Sequence, residues 1–379
     1  MKKELNLKKI FILITFFAIL IRIVWINGKS GDYLGFLEPW IKTISRFGGV
    51  KSLKYNIGDY NVPYVVILTI ISYFKNHLYL IKFVSIVFDF VCAIFGYKIV
   101  YKVTNNKLQS LVAYGVILFL PTVIVNGSMW GQCDSIYTSF ILMSIYYLLD
   151  KKYIKSFILL GVSFSLKLQF MFILPLYIIM FFREKDIKWY YFLLIPLVNV
   201  IMCLPAIIAG RNIVDVLSIY FNQTSTYKDL VLNYPNIYNI IQSNVYFSFT
   251  NLEIIALVGV IYTIFIYFIM WIFVLVTKVN FNNEKILSLA IWSLIIATYF
   301  LPRMHDRYMF VGDILSIVWF IIYQKKFYVP LVINLCSIIS YFQFLFGYEF
   351  LLNYYNIIAV IYFIIILIYT NYLMKLLSD

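Results

Sequence analysis

The sequence predicts an all-α protein that crosses a membrane many times. Hydrophobic residues make up 63% of its 379 residues and charged residues only 13%, whereas soluble domains carry about 25% charged residues. The mean hydropathy is +0.89. Long apolar runs recur from Ile10 to Leu373 without alternating with polar residues, which excludes a transmembrane β-barrel. We therefore expect one integral membrane domain that covers residues 1–379.

About twelve apolar runs are predicted to be transmembrane helices. The first follows the basic segment MKKELNLKK and lacks a small-residue cleavage site, so we expect it to be kept as a span. Another run, residues 62–74, is too short for a hydrocarbon core of ~30 Å at ~1.5 Å per residue, so we expect a short interfacial helix there. The predicted crossings lie near residues 10–27, 78–101, 108–127, 134–149, 154–167, 168–182, 189–209, 253–277, 286–301, 308–323, 327–346 and 353–374.

Basic residues give the predicted orientation. In this arrangement the basic loops near residues 98–107, 151–155, 183–188 and 325–326 lie on the same side as both chain termini, which the positive-inside rule assigns to the cytoplasm. A crossing by residues 62–74 would move these loops outside, at a cost of about 1 kcal/mol per basic residue. The arrangement with twelve crossings is therefore favoured.

Two long segments then lie on the extracytoplasmic side, residues 28–77 and residues 210–252. A second topology stays open, in which residues 62–74 cross and residues 154–182 form one long helix, because it distributes the charges almost as well. The abundance of Ile, Lys, Asn and Tyr is typical of an AT-rich genome, so we expect a bacterial cell membrane.

Composition also excludes several classes of partner and cofactor. The formal net charge is +14, but the basic residues are spread over many short loops, which indicates membrane orientation and not nucleic-acid binding. The four cysteines are scattered and form no CxxC pair, so neither a disulfide framework nor a zinc site is expected. We expect membrane lipids as partners and no cofactor, although three outer carboxylates could still bind a divalent metal.

Those three carboxylates lie in the first outer loop. Asp32 falls in SGDYLGFLEPW just after the first span, Glu38 follows in the same motif, and Asp59 lies in GDYNVPY. A partly buried carboxylate suits a general base, because burial raises its pKa towards the working pH. Asp32 is the best candidate, since a helix end positions it. They could instead be ordinary loop carboxylates that balance nearby lysines, and Asp59 could cap the following helix.

The motif WGQCD is the second candidate region. Gln132 and Asp134 could bind sugar hydroxyls while Trp130 offers a ring for stacking, although Trp130 also suits an interfacial belt and Asp134 could cap a helix. The motif SLKLQF places Lys167 and Gln169 between two short apolar segments. A lysine in an apolar run costs about 2.5–3.5 kcal/mol, so Lys167 should have a partner, such as a lipid-linked phosphate, or extend to the interface.

The densest polar cluster is PRMHDRY. Arg303, His305 and Arg307 could bind phosphate through bidentate and charge-assisted hydrogen bonds, while an internal pair with Asp306 in a solvated loop is the alternative. It is the only predicted outer turn with dense positive charge. The segment NYPNIY in the second outer loop could act as a lid over a cavity or be a simple turn.

These motifs together resemble those of the GT-C glycosyltransferases. An acidic loop after the first span, a Gly-Gln-x-Asp turn, Lys-x-Gln between short helices, an Asn-rich turn and Met-His-x-Arg-Tyr recur in that order. The order is most similar to the mannosyltransferase group related to the enzyme that adds the second mannose to GPI anchors, including its bacterial relatives. The resemblance covers most of the chain, although Asp306 stands where many relatives carry Glu.

The resemblance implies a GT-C helical bundle with an extracytoplasmic active site. The donor would be a polyprenyl-phosphate hexose, with mannose as the hexose in this group, and the acceptor a glycan or glycolipid. By this carry-over Asp32 is the catalytic base of an inverting transfer. The donor phosphate would be bound by Lys167, Arg303, His305 and Arg307. Sugar and acceptor contacts would come from Glu38, Asp59, Trp130, Gln132, Asp134, Gln169 and Tyr308.

Two other functions compete with this interpretation. A lipid-oligosaccharide flippase is expected to show repeated halves and charges deep in several spans, and neither is evident in the sequence. A polysaccharide polymerase or ligase also has many spans and a large outer loop. Transfer of sugar from a lipid-linked donor distinguishes the glycosyltransferase from the flippase.

Overall fold

The computed structural model describes residues 2–224, 229–242 and 252–379, and within them the chain is an all-α membrane protein. The residues pack as two compact units. The first comprises residues 1–170 and 190–226, and the second comprises residues 171–189 and 227–379. The expectation of one domain over the whole chain stays a prediction.

The first unit is built from helices joined by short turns. The segment between its first helix and helix Val62–Ile71 is itself largely helical, as the apolar spacing of Leu37, Ile41 and Ile44 explains, since these residues share one buried helix face. The α-helices of this unit are Lys2–Trp25, Glu38–Arg46, Val62–Ile71, His77–Thr104, Lys107–Phe119, Pro121–Ile124, Asp134–Leu149, Tyr153–Leu166, Leu194–Ile208, Ile213–Leu217 and Ile219–Thr224. The other helical turns are Tyr33–Leu37, Gly49–Lys54 and Val125–Trp130.

The second unit is also helical, with one small pair of strands. Val231–Leu232 runs parallel to Met304–His305, and these strands join the segment NYPNIY to PRMHDRY. The α-helices are Leu174–Phe181, Ile237–Gln242, Leu252–Val276, Asn283–Phe300, Phe310–Tyr323, Tyr328–Phe346 and Tyr355–Ser378. Helix Asn283–Phe300 is buried on all sides from Lys285 to Phe300, so it forms the core of this unit.

Several helices of the described part are long and apolar enough to span a membrane. Five pass by length and composition, and a sixth is possible if the bent pair Lys107–Phe119 and Pro121–Trp130, which meet at 53°, forms one span. The bend follows from Pro121, because proline cannot donate the helical hydrogen bond to the preceding turn. The five are His77–Thr104, Trp189–Ile208, Leu252–Val276, Tyr328–Phe346 and Glu349–Ser378. The predicted number of twelve crossings stays a prediction.

Two predicted boundaries are resolved by the helices. Residues 62–74 contain a helix of 10 residues, Val62–Ile71, which at ~1.5 Å per residue extends about half of a ~30 Å hydrocarbon core. The alternative of one long helix over residues 154–182 is wrong, because helix Tyr153–Leu166 ends at Lys167, whose backbone is extended. Lys167 therefore lies at a break in the helical structure.

Candidate functional site

The carboxylate of Asp32 is the meeting point of two of the predicted motifs in the first unit. Its Oδ2 accepts hydrogen bonds from Trp130 Nε1 at 2.9 Å and from Gln132 Nε2 at 2.6 Å. Gln132 Oε1 in turn accepts from the hydroxyl of Tyr60, at 3.2 Å, in the motif GDYNVPY. Asp32 stays partly exposed. A partly solvated carboxylate with a fixed orientation is the geometry that proton abstraction from an alcohol requires.

Unusual helical turns carry both sides of this contact. Asp32 immediately precedes a π-helical turn, Tyr33–Leu37, and Trp130 ends another, Val125–Trp130. Such wide turns are rare in proteins as a whole, and those that do occur are often located at functional sites. The turn Val125–Trp130 ends at Gly131, whose φ of 72° favours glycine. A hydrogen bond from Gln132 N to Asn126 O, at 3.0 Å, also stabilises the end of this turn. The side chains of Trp130 and Gln132 are thereby turned towards Asp32.

Hydrogen bonds to backbone carbonyls fix the same turn from its neighbours. Ser30 Oγ donates to Trp130 O at 3.0 Å, and Ser85 Oγ donates to Gln132 O at 2.6 Å. Trp130 is fully buried and Gln132 nearly so. The donors to Asp32 are therefore held by the packed interior of the unit, and this arrangement reduces the reorganisation needed during a reaction.

A buried lysine anchors the chain just ahead of Asp32. Lys82 Nζ donates to three carbonyl oxygens, those of Trp25 at 3.2 Å, Ile26 at 2.9 Å and Gly28 at 2.5 Å. Because helix Lys2–Trp25 ends here, these carbonyls have no partners within the helix, and a cation at a helix C-terminus is also favoured by the helix dipole. Lys82 thus fixes the segment that follows the first helix, from Trp25 to Gly28, which lies four residues before Asp32.

A second polar cluster joins Asp134 to Lys167. The Lys167 ammonium and the Asp134 carboxylate form a buried salt bridge, and Asn126 Nδ2 donates to the other carboxylate oxygen at 3.0 Å. Asp134 does not occupy the N-cap position for which it was considered, because the helix begins at Asp134 itself and Cys133 is the N-cap residue. The alternative that Lys167 extends to the interface is also wrong, since its side chain is only 8% exposed.

Three other predicted residues of the first unit lie outside these contacts. Glu38 forms a salt bridge with Lys42 one turn along its helix, at 3.1 Å. The pKa of Tyr33 is raised, mainly because that side chain is removed from water and to a lesser extent because of the negative charge of Glu38. Asp59 is exposed and does not cap helix Val62–Ile71, because Asn61 does so through Val62 N. Gln169 has a buried Oε1 without a hydrogen-bond partner among the described residues.

The second unit holds the cluster PRMHDRY in place with the outer segment around residue 231. Arg303 N donates to Leu230 O at 2.8 Å, and His305 pairs with Leu232 across the two short strands. Along this stretch Met304 and Asp306 are buried while Arg303, His305 and Arg307 are partly exposed. Only Met304 and His305 form the strand, whereas Arg303 has a left-handed backbone conformation and Arg307 lies in the turn that follows.

Acidic neighbours already engage both arginines. Arg303 Nη2 donates to Glu253 Oε1 at 2.6 Å, and Arg307 Nη1 contacts Asp306 Oδ1 at 3.3 Å. Tyr308 packs its ring against His305, with centroids 5.0 Å apart. The predicted pairing of arginine with Asp306 is thus present. A guanidinium carries five N–H donors in a planar arrangement, which is the chemistry that suits binding of phosphate.

Sequence reasoning missed the charged residues buried in the helices. Arg22 Nε donates to Asp89 Oδ2 at 3.0 Å, and both side chains are at most 1% exposed. The expectation that the spans hold no further deep charges is therefore wrong. The signal was present, because Arg22, Lys82 and Asp89 lie in predicted spans, and an ionisable residue in an apolar helix indicates a partner or a function.

In the first unit Asp32 is an oriented, partly exposed carboxylate, and in the second unit Arg303, His305 and Arg307 are partly exposed. Chemically, a carboxylate can accept a proton, and guanidinium and imidazole groups can bind phosphate. No three His, Cys, Asp or Glu side chains in the described ranges are grouped closely enough to hold a metal ion. The expectation that no metal is needed stays a prediction.

No protein-family model matches the chain, and no curated protein matches it at a significant level.

Proposed function

We propose that this protein is a glycosyltransferase of the GT-C type that moves a hexose from a polyprenyl-phosphate donor to a hydroxyl of a glycan or glycolipid. One observation carries the proposal. The Asp32 carboxylate is held by Trp130 and Gln132, which lie about 100 residues further along the chain, yet it remains partly exposed. A general base must be within reach of the acceptor hydroxyl, and the partial exposure of this oriented carboxylate is compatible with that approach.

The reaction follows from the roles of these residues. The acceptor O–H gives its proton to Asp32 as the acceptor oxygen attacks the anomeric carbon of the donor hexose. The bond between that carbon and the phosphate oxygen breaks, and the polyprenyl phosphate leaves with the electron pair. Attack from the face opposite the leaving group inverts the anomeric configuration.

We assign binding of the donor phosphate to Arg303, His305 and Arg307, whose donors would stabilise charge that grows on the leaving group. Lys167 belongs to the same proposal, although its ammonium is paired with Asp134. A phosphate that approached Lys167 would therefore share it with Asp134 or displace that carboxylate. Mannose is the hexose we propose, by the resemblance to the mannosyltransferase group.

The fine topology is part of the proposal. We propose about twelve crossings, both termini in the cytoplasm, the helix Val62–Ile71 in the outer interface and the Asp32 site at the extracytoplasmic face of a bacterial cell membrane. The positive-inside distribution of lysines supports this orientation.

The test is a donor screen with the purified protein in proteoliposomes. Polyprenyl-phosphate hexoses are supplied with a glycan acceptor, and both transfer and lipid translocation are measured. We expect transfer, lost in Asp32→Asn and kept in the control variant Asp186→Asn, which changes an exposed carboxylate that has no role in the proposed site. Translocation without transfer would instead identify a flippase, and chain extension by many sugars a polymerase.

A further inference from the structure

A cluster of basic and aromatic side chains lies on the first outer loop, away from Asp32. Its turn, Gly49–Lys54, packs beside helix Val62–Ile71, and the two are joined by a hydrogen bond between Val50 N and the Tyr73 hydroxyl at 2.9 Å. A second link runs from Ser45 Oγ to Ser72 O at 3.3 Å. We call this the basic aromatic surface, and it consists of Arg46, Phe47, Val50, Lys51, Lys54, Tyr55, Tyr73, Phe74 and Lys75.

The apolar members of this surface are exposed. Their relative exposures run from 42% for Tyr55 to 63% for Tyr73, with Phe47, Val50 and Phe74 between these values. Phe47 and Tyr55 also pack against each other, with ring centroids 4.8 Å apart, so they form one contiguous patch. Exposed apolar side chains grouped in this way indicate contact with another apolar phase.

The basic members have no compensating acidic residues nearby in the sequence. Asp and Glu are absent from residues 39–58 and from residues 60–88. Lys42 on the same loop is paired with Glu38, but Arg46, Lys51, Lys54 and Lys75 form no salt bridge with any residue that the structure describes. Lys54 instead lies over the ring of Tyr55, with Nζ 4.8 Å from its centroid. The surface therefore carries four uncompensated positive charges.

The position of the surface along the chain favours a membrane as its partner. Tyr73, Phe74 and Lys75 directly precede helix His77–Thr104, which is long and apolar enough to span a membrane. Residues this close to the end of a span lie at the level of the lipid headgroups, where tyrosine, tryptophan and lysine are enriched. Basic residues beside exposed aromatic ones match a surface that is apolar below and anionic above.

We infer that the basic aromatic surface lies in the membrane interface and binds anionic lipid headgroups, with its aromatic side chains inserted among the acyl chains. The inference does not depend on the proposed reaction. It assigns the loop that carries Asp32 a second role, which is to hold residues 46–55 against the bilayer.

The test places an environment-sensitive fluorophore on Val50→Cys in the full-length protein. The four native cysteines are all buried, so the label reacts selectively at position 50. Labelled protein is reconstituted in nanodiscs with increasing fractions of phosphatidylglycerol in phosphatidylcholine. We expect the emission to shift to the blue as the phosphatidylglycerol fraction rises, and high salt to reverse the shift, because screening weakens headgroup contacts.

Charge removal then tests the cause of the shift. In Lys51→Gln/Lys54→Gln, we expect the phosphatidylglycerol fraction that gives half of the shift to rise on the order of tenfold or more. The control Lys185→Gln/Lys188→Gln removes the same number of exposed lysines elsewhere and should leave the titration unchanged. If the charge variant does not fold, the salt titration of the labelled protein decides alone.

Three results would overturn the inference. The first is an emission wavelength that does not change with the phosphatidylglycerol fraction. The second is a blue shift that is unchanged at high salt or in Lys51→Gln/Lys54→Gln. The third is an equal shift produced by soluble glycerol 3-phosphate in nanodiscs of phosphatidylcholine alone, which would identify a site for free phosphate and not a lipid surface.

Discussion

The clusters of the two units differ in how their charges are held. In the first unit, Asp134 and Lys167 neutralise each other in the interior, and Asp32 is held by donors from a buried turn. In the second unit, Arg303 and Arg307 remain partly exposed, and they contact the acidic residues Glu253 and Asp306. The first arrangement holds its charged groups in the interior, whereas the second keeps its cationic side chains partly in reach of solvent.

This difference between the two clusters predicts which substitutions should affect stability and which should affect binding. Breaking a buried ion pair leaves an uncompensated charge, while breaking an exposed pair costs little. We therefore expect substitutions in the first unit to lower stability or turnover, and substitutions in the second to weaken donor binding with a smaller effect on the fold.

The largest expected effect concerns the buried pair. Lys167→Met should lower the free energy of unfolding by roughly 3–5 kcal/mol, because Asp134 is left buried without its cation. The double variant Lys167→Met/Asp134→Leu should be more stable than Lys167→Met alone, since neither charge then remains. Thermal unfolding in detergent measures both.

A surface pair in the same unit provides the control. Lys102 and Asp150 are 2.6 Å apart but partly exposed, so Lys102→Met should cost no more than about 1 kcal/mol. Hydrogen bonds from Lys102 and then Lys152 lower the pKa of Asp150. The small stabilisation is therefore present above the unfolded-state pKa of about 3.9 and is lost as the pH falls through the lower folded-state pKa. Equal losses in Lys167→Met and Lys102→Met would contradict the contrast.

A second prediction concerns the donors to Asp32. Trp130→Phe keeps the buried ring but removes the Nε1 donor, and a hydrogen bond to a charged group is worth about 1.5–3 kcal/mol. We expect kcat to fall roughly tenfold to a hundredfold with little change in the KM for donor. Steady-state transfer kinetics measure this split.

Trp40→Phe is the matched variant for that measurement. Trp40 lies in the same outer loop and packs its ring edge against Tyr60, with centroids 5.8 Å apart. Because Phe preserves most of this packing, kcat should stay within about threefold of the parent value. A comparable loss in both variants would mean that Trp130 acts only through the packing of the loop.

A third prediction concerns the exposed arginine of the second unit. Arg307→Ala should raise the donor KM roughly tenfold or more, because charge-assisted hydrogen bonds to phosphate are lost. The donor KM of Arg307→Lys should lie between those of the parent protein and Arg307→Ala, since lysine keeps the charge but not the planar arrangement of donors. A donor KM unchanged in Arg307→Ala, measured in the same transfer assay, would remove this residue from the phosphate site.

The smallest expected effect is at Arg303. Its φ of 63° is in the left-handed region, which costs a residue other than glycine about 1–2 kcal/mol. Arg303→Gly relieves that cost while it removes an exposed ion pair worth at most about 1 kcal/mol, so the melting temperature should hardly change. A large drop in melting temperature would show that the arginine side chain holds the loop together.

Part of this structure could be predicted from the sequence and part could not. Continuous apolar runs located the helices, because burial in lipid requires apolar side chains and internal backbone hydrogen bonds. The break at Lys167 was also expected, since an isolated lysine interrupts an apolar run. The residue that caps helix Val62–Ile71 was not predicted, because Asp59 was considered for this role and Asn61 takes it.

Pairing across long distances in the chain was beyond local patterns. The hydrogen bonds from Trp130 to Asp32 and from Arg303 N to Leu230 O depend on packing of distant segments, and neither motif contains a signal for its partner. Lys82 is a different case, because its place in an apolar run already indicated a buried role. Its partners, three backbone carbonyls, could not be read from side-chain types.

The most direct test of the proposed function separates donor binding from turnover in Asp32→Asn. Single-turnover transfer from a polyprenyl-phosphate hexose is measured beside the equilibrium Kd for that donor, with the parent protein in the same lipid. Loss of the base should slow the chemical step by about 10²–10⁴-fold while the donor Kd stays within about threefold. Transfer by Asp32→Asn at the parent rate would contradict the assignment of Asp32 as the catalytic base.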